Sequence, residues 1–145
     1  MYKPKRRSLD IGPGPIPTKG TTHALDMPQW PGMSDRWDAK TRRLEWGNKA
    51  FERIKFRYGD ATKLLPYPNN SFDRVTVYNA LGNEINPYLA MKEIARVLRY
   101  GGMFTFVIYD TETDEVFDAI RQNNLKVSWS RRVDEVAIRI HGKKL

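Results

Sequence analysis

The chain has 145 residues, of which 40% are hydrophobic and 29% charged, and a formal net charge of +8. That length fits one globular domain with a real core. The lack of cysteine excludes disulfides, thiolate metal sites and a cysteine nucleophile. No apolar run approaches the ~20 residues of a membrane span. No apolar segment follows the basic N-terminus, so it is not a secretory signal. A cytoplasmic location without a membrane partner is expected. The positive charge suits either a basic soluble surface or an acidic partner such as nucleic acid. Its clusters, such as Arg6-Arg7, Arg42-Arg43, Arg131-Arg132 and Lys143-Lys144, are spread along the chain.

Residues 1–7 read as a basic, proline-containing arm, and 8–145 as the domain. The first strand is Ser8 to Ile11, running into Gly-Pro-Gly-Pro. Gly12 and Gly14 allow a sharp bend and a close approach of ligand to main chain. Asp10, at the strand's end, would repel a pyrophosphate and attract a cation or an amino group. Pro15 to Thr21 holds two prolines and a glycine, which forbid a regular helix. Seven extended residues reach about 23–25 Å, more than a ~17 Å strand, so a taut crossover to a parallel neighbour suffices.

The second strand is Thr22 to Leu25, ending in Asp26. Met27 to Asp38 reads as a loop over the site mouth. Ser34 can cap a helix reaching about Arg53, with Trp37, Leu44 and Phe51 on one stripe. The third strand is Lys55 to Tyr58, followed by turns over Thr62 to Ser71. The fourth, Asp73 to Tyr78, is rich in β-branched residues, and Asn79 to Ile85 is a loop. A helix from Pro87 to Leu98 turns Leu89, Ile94, Val97 and Leu98 inward, and Tyr100-Gly101-Gly102 stops it. Met103 to Tyr109 reads as a buried central strand. Thr111 to Asn123 is a helix with Val116, Phe117 and Ile120 on one face. Leu125 to Trp129 and Val133 to Ile140 form an antiparallel hairpin. Strands alternating with helices make an open α/β sheet, whose ligands sit outside the carboxyl ends of the strands at the switch point. Asp10, Gly12, Gly14, Asp26, Asp60 and Asn79 all fall there.

Four segments appear in register: Leu-Asp-Ile-Gly-Pro-Gly-Pro from Leu9, Ala24-Leu25-Asp26-Met27, Tyr58-Gly59-Asp60-Ala61 with its continuation to Asp73, and Arg96 to Gly102. Together they resemble the class I S-adenosylmethionine-dependent methyltransferases, from Leu9 to about Ile140. The resemblance implies a Rossmann-like, mostly parallel sheet with S-adenosyl-L-methionine as cofactor. It implies that Gly12 and Gly14 line the methionine and ribose, and that Asp10 faces the ammonium of the tail. Asp26 would accept the ribose hydroxyls and Met27 would pack on the adenine. Asp60 would accept from the adenine amino group, and the Ala61 N–H would donate to the ring. Tyr78, Asn79 and Ala80 would border the methyl group. Read alone, Asp26 and Asp60 can also be turn residues, Asp73 the start of a strand, and His23 a surface or core residue.

Methyl transfer chiefly needs positioning, worth ~7–11 kcal/mol in the best cases. A base is needed only when the acceptor must lose a proton. Tyr78, Asn79, Glu84, Tyr109 and Asp110 fall near the methyl, but none sits in a catalytic motif, so no catalytic residue is assigned. The family's aminomethylase signature is replaced by Tyr78-Asn79-Ala80-Leu81, which disfavours adenine-N6 transfer, and cytosine-5 chemistry lacks its cysteine. Three readings follow: transfer to a small-molecule or undefined acceptor, a non-catalytic cofactor-binding accessory subunit, or a nucleic-acid methyltransferase. A nicotinamide-dependent oxidoreductase would need a third glycine where Pro17 stands. The family's leading helix and the helix after its glycine loop are missing, which leaves reduced helix cover on one sheet face. Exposed apolar area costs about 25 cal/mol per Å², so a homo-oligomer or a partner subunit is expected to cover that face.

Overall fold

The computed structural model of the chain describes residues 6–13, 18–26, 54–78, 81 and 85–145. The helix expected at 34–53 lies outside these residues. So do Gly14, Met27, Asn79, Ala80 and Glu84.

The strands are β1 (Ser8–Ile11), β2 (His23–Asp26), β3 (Lys55–Tyr58), β4 (Phe72–Tyr78), β5 (Leu98–Tyr109), β6 (Leu125–Arg132) and β7 (Ala137–Lys144). They form one sheet in the order β3-β2-β1-β4-β5-β7-β6. β3 through β5 run parallel, and β7 is antiparallel to both β5 and β6. The sheet is therefore mostly parallel with an antiparallel end, as the sequence implies. Two helices are described, α1 (Pro87–Val97) and α2 (Thr113–Arg121), the latter entered through a short 3-10 turn at Asp110–Glu112.

Alternation along the strands sends Leu9, Ile11, Val75, Val77, Phe104, Phe106, Ile108 and Ile140 to one face. There they share a single cluster with Ala90, Met91 and Ile94 of α1 and Val116, Ala119 and Ile120 of α2. Asn86 starts α1, its Oδ1 accepting the N–H groups of Tyr88 and Leu89 at 3.0 and 3.3 Å. Pro87 stands in the first turn, where no N–H is needed. The inward stripe of α1 runs through Ala90, Met91 and Ile94. Leu89, expected inside, is 55% exposed, because it lies one position off that stripe. α2 runs from Thr113 to Arg121, shorter than the expected Thr111 to Asn123 because a 3-10 turn takes up 110–112 and the chain leaves the helix at Gln122. Asn124 beyond it stands in the left-handed region at φ 59°.

The stop of α1 differs from expectation. The helix ends at Val97 and Leu98 is already extended, so Tyr100-Gly101-Gly102 belongs to β5 and does not cap the helix. Its last carbonyls are met from elsewhere in the chain. The Asn70 and Ser71 N–H groups donate to Arg96 and Val97 at 2.9 and 2.8 Å, and Lys144 Nζ donates to Leu98 at 2.8 Å. The glycines serve a bulge instead. Leu98 pairs with Phe72 and Met103 with Arg74, so the intervening residues loop out, with Gly101 at φ 75°.

Arg96 ties the β3–β4 connection to α1. Its Nη1 donates to the Tyr67 carbonyl at 2.8 Å and to Asn69 Oδ1 at 2.9 Å, and its Nη2 to the Leu65 carbonyl at 3.0 Å. Glu93 closes the set. Its Oε1 accepts the Leu65 N–H at 2.7 Å and Arg96 Nη2 at 3.0 Å. Burial raises the Glu93 pKa, but Arg96 and the Leu65 amide outweigh it and hold the carboxyl below its ordinary 4.5.

The opposite sheet face was expected to be apolar. On β4, β5 and β7 it carries Arg74, Thr76, Thr105, His141 and Arg139 instead, with Thr76, Thr105 and His141 in lateral register. Met103 to Tyr109 reads as continuously apolar, yet it alternates. Met103 and Tyr109 are exposed on this side while Phe104, Phe106 and Ile108 are buried on the other. The hairpin also runs further than expected. Asp134 Oδ1 accepts the Val136 and Ala137 N–H groups, both at 2.8 Å. That makes 133–136 the turn and pushes β7 on to Lys144.

Two stability predictions follow from this packing. A Cβ on Gly142 would lie 2.1 Å from the Lys126 carbonyl oxygen and 2.4 Å from the Phe104 ring. Gly142→Ala should therefore lower the unfolding free energy by about 1–3 kcal/mol, read from its urea midpoint; a midpoint equal to the parent's contradicts the packing. Glu93→Ala should cost about 1.5–3 kcal/mol at neutral pH. The gap from the parent should shrink as pH falls from 4.5 through the lowered folded pKa of Glu93, since the stabilisation belongs to the ionised form. A gap independent of pH would contradict the ion-pair role.

Candidate functional site

The strand order reverses between β1 and β4, so the crevice opens at their carboxyl ends. Neighbouring strands lie about 4.8 Å apart. The ends of β1, β2 and β3 stand side by side, with Ile11 opposite Leu25 and Asp26 opposite Tyr58. Asp10 and Asp26 thus come from adjacent strands, and Asp60 follows β3 by two residues. The described members of the expected site lie along one edge.

Gly12 makes the first bend. Its φ is 64°, a backbone region that strains residues bearing a Cβ, and its N–H donates to the Leu25 carbonyl at 2.8 Å. The chain therefore leaves β1 leaning toward β2. It returns at Thr18, whose N–H donates to Asp10 Oδ2 at 2.8 Å. Arg74 Nη2 holds the Lys19 carbonyl at 2.9 Å, and the Thr22 hydroxyl donates to the Ser8 carbonyl at 3.1 Å. No helix occurs among the described residues of this crossover.

Asp10 is 1% exposed. Burial raises its pKa above the ordinary 3.8, against the lowering influence of the Thr18 N–H, the nearby Thr18 and Thr76 hydroxyls, and Arg74. Those hydroxyls lie near the carboxylate without completing a hydrogen bond: Asp10 Oδ1, Thr18 Oγ1 and Thr76 Oγ1 are each buried and unpartnered. A buried carboxylate oxygen with no donor, ringed by two hydroxyls, has the chemistry to receive an ammonium group.

Asp26 is 4% exposed, and its carbonyl accepts the Gly59 N–H at 2.9 Å. Asp60 is half-buried, and its Oδ1 accepts both the Thr62 N–H at 2.9 Å and the Thr62 hydroxyl at 2.6 Å. These bonds hold its pKa below 3.8 and form the turn that the sequence also allowed. Ala61 turns its methyl into the core at 2% exposure. Tyr78 and Tyr109 close β4 and β5 at the same edge, and Asp110 pairs with Arg132 Nη1 at 3.0 Å.

His23 is a core residue. Its Nδ1 meets the Thr22 hydroxyl at 2.8 Å, and its ring is edge-on to Phe72 and Tyr67. Burial lowers its pKa, aided by Arg7 and Lys55. Thr18 and Thr76 were missed by sequence reading. Thr76 was within reach, since it occupies the position on β4 directly beside Asp10.

No helix among the described residues is long and apolar enough to cross a membrane. A family model, the methyltransferase domain, matches residues 9–106. The demethylmenaquinone methyltransferase of Leptospira interrogans is 46% identical over 66 residues, covering 46% of this chain and 26% of that protein. The chain thus aligns with about a quarter of that relative's length. Among solved structures, an S-adenosylmethionine-dependent methyltransferase from Aquifex aeolicus superposes with a TM-score of 0.73 at 14% identity, over 100% of this chain and 85% of its own. A Haloferax volcanii methyltransferase, solved in complex with a methyltransferase activator, gives 0.69 at 17% identity, over 96% and 82%. These two show a shared fold. With two thirds of its residues inside the family match, the chain belongs to the class I S-adenosylmethionine-dependent methyltransferases.

Proposed function

We propose that the chain is a methyltransferase that moves a methyl group from S-adenosyl-L-methionine to a small-molecule acceptor, in a cytoplasmic setting. The observation that carries this reading is the buried, unpartnered Asp10 Oδ1 beside the Gly12 bend, at the edge where Asp26 and Asp60 also stand. The cofactor supplies a methyl group activated by a sulfonium. In the proposed roles, Asp10 receives the ammonium of its tail, Gly12 and Gly14 lie along the methionine and ribose, and Asp26 accepts the ribose hydroxyls. Met27 packs on the adenine. Asp60 keeps one oxygen on Thr62 and offers the other to the adenine amino group, and the Ala61 N–H faces the ring. Asn79 borders the methyl with Tyr78. No residue is assigned as a base. The chain's work is to orient the acceptor and exclude water.

The acceptor class follows the relatives, whose name specifies demethylmenaquinone. A second copy or a partner subunit beside this domain would be the counterpart of the activator with which the Haloferax volcanii protein was solved. A sedimentation series at micromolar concentration tests this; a monomer throughout, alone in solution, excludes the homo-oligomer.

Asp26→Ala should weaken S-adenosylmethionine binding by about 1.5–3 kcal/mol per charged hydrogen bond lost, read by calorimetry. Unchanged affinity removes Asp26 from the site. Asp10 gives a pH signature. Its raised pKa means the free fold is favoured below that value and loses stability as pH rises through it. An ammonium partner favours the ionised form, so cofactor affinity should rise over the same interval above 3.8 and then level off. Asp10→Asn should flatten that rise and weaken binding while melting no earlier than the parent at neutral pH. Turnover is read as S-adenosylhomocysteine release with quinol acceptors. Cofactor binding without release under any acceptor would favour the accessory-subunit reading.

A further inference from the structure

Away from the carboxyl edge, a hollow of about 370 Å³ opens at the amino ends of β1, β4 and β5, lined by Arg6, Arg7, Arg74 and Arg99, with Asp73 the one acidic residue among the described residues of its wall. Both Asp73 oxygens are engaged. Oδ2 accepts the Arg7 backbone N–H at 2.8 Å, and Oδ1 pairs with Arg99 Nε. Arg74 directs Nε to Ser8 Oγ at 2.9 Å, and the Arg7 guanidinium rests over the Phe72 ring at 5.3 Å. Four guanidinium groups therefore surround one fully engaged carboxylate.

The charge continues across the sheet. In lateral register, Arg74 is followed by Met103, Lys143 and Lys126. Lys126 stands directly opposite Lys143, and Arg131 directly opposite Arg139. Opposed like charges destabilise a strand pair, and among the described residues no acid forms an ion pair with these four cations. Between them Trp129 stacks on His141 at 5.3 Å and 22°, with the Arg131 guanidinium 4.3 Å from the indole centroid. Lys126, Trp129, Arg131 and Lys143 are all exposed.

We propose that this face, from the arginine hollow to Trp129, binds a single-stranded nucleic acid. Phosphates lie in the hollow and along the opposed cations, and a base stacks at Trp129 in exchange for Arg131. A second copy of this basic chain would add to the repulsion between the opposed cations. A phosphodiester strand relieves it, and guanidinium groups match phosphate oxygens in paired hydrogen bonds. An aromatic on a cationic surface suits unstacked bases, which a duplex keeps inside. The inference does not rest on the methyl-transfer reading, because Arg74 lies at the other end of β4 from Tyr78, about 13 Å away.

The test is fluorescence anisotropy with a short labelled polyuridine strand between about 50 and 200 mM salt. Affinity should fall with salt, with a log–log slope of about −0.7 per phosphate contacted. The double variant Lys126→Gln/Lys143→Gln should bind about tenfold more weakly and make that slope shallower by about 1.4. Trp129→Ala should weaken binding and leave the slope unchanged. Arg121→Gln, the loss of one positive charge at an exposed side chain of α2 on the other face, should bind like the parent. The proposal is overturned if Arg121→Gln loses as much as the lysine pair, if the lysine variant keeps the parent's slope, or if a duplex or inorganic pyrophosphate competes as well as an unlabelled strand.

Discussion

The Arg96 guanidinium is the contact on which the parallel half of the sheet depends. From one side chain it grips the carbonyls of Leu65 and Tyr67 and the amide of Asn69. Those residues belong to the long connection that leaves Asp60 and enters β4. With that connection fastened, the Asn70 and Ser71 amides fall under the end of α1 and satisfy its last carbonyls. A buried helix end without such partners would leave polar groups unsatisfied. The helix can therefore pass straight into β5, and the centre of the sheet is aligned by one cation and its Glu93 partner.

The carboxyl edge inherits its geometry from this frame, but its electrostatics are set locally. Asp10 is held at the interior of β1 by pairing on both sides. Its carboxylate meets one amide where charge in a buried place would need several. The free fold thus carries a polar group that is poorly served, a state that persists most readily where a ligand supplies what is missing. Asp60 is the contrast, since both bonds to Thr62 serve it within its own turn.

Much of this was legible in the chain. The ends of β1 and β3 and the start of α1 carry local signals strong enough to fix them: Gly12, the Lys55–Tyr58 run before Gly59, and Pro87. What was not legible depended on distant residues. Gly101-Gly102 looks like a helix stop, and only the amides of Asn70 and Ser71 and the Lys144 ammonium, all remote in sequence, make such a stop unnecessary. The far end of β7 was missed because Gly142 and Lys144 look like a polar tail. Gly142 is there because Phe104 fills the space of its side chain, and Lys144 because its ammonium reaches the Leu98 carbonyl and lies 4.4 Å from the Tyr100 ring centroid. The polar character of the Asp10 side of β5 was visible in Thr105 but masked by the apolar residues on either side.

The position of β7 has a consequence for how the polypeptide acquires its shape. The strand nearest the C-terminus is an interior one, inserted between β5 and β6. During vectorial synthesis both neighbours emerge first, each with an open hydrogen-bonding edge. That half of the sheet can close only when residues 137–144 have left the ribosome, so β5 and β6 stay exposed to misassembly until β7 is free to pair with both.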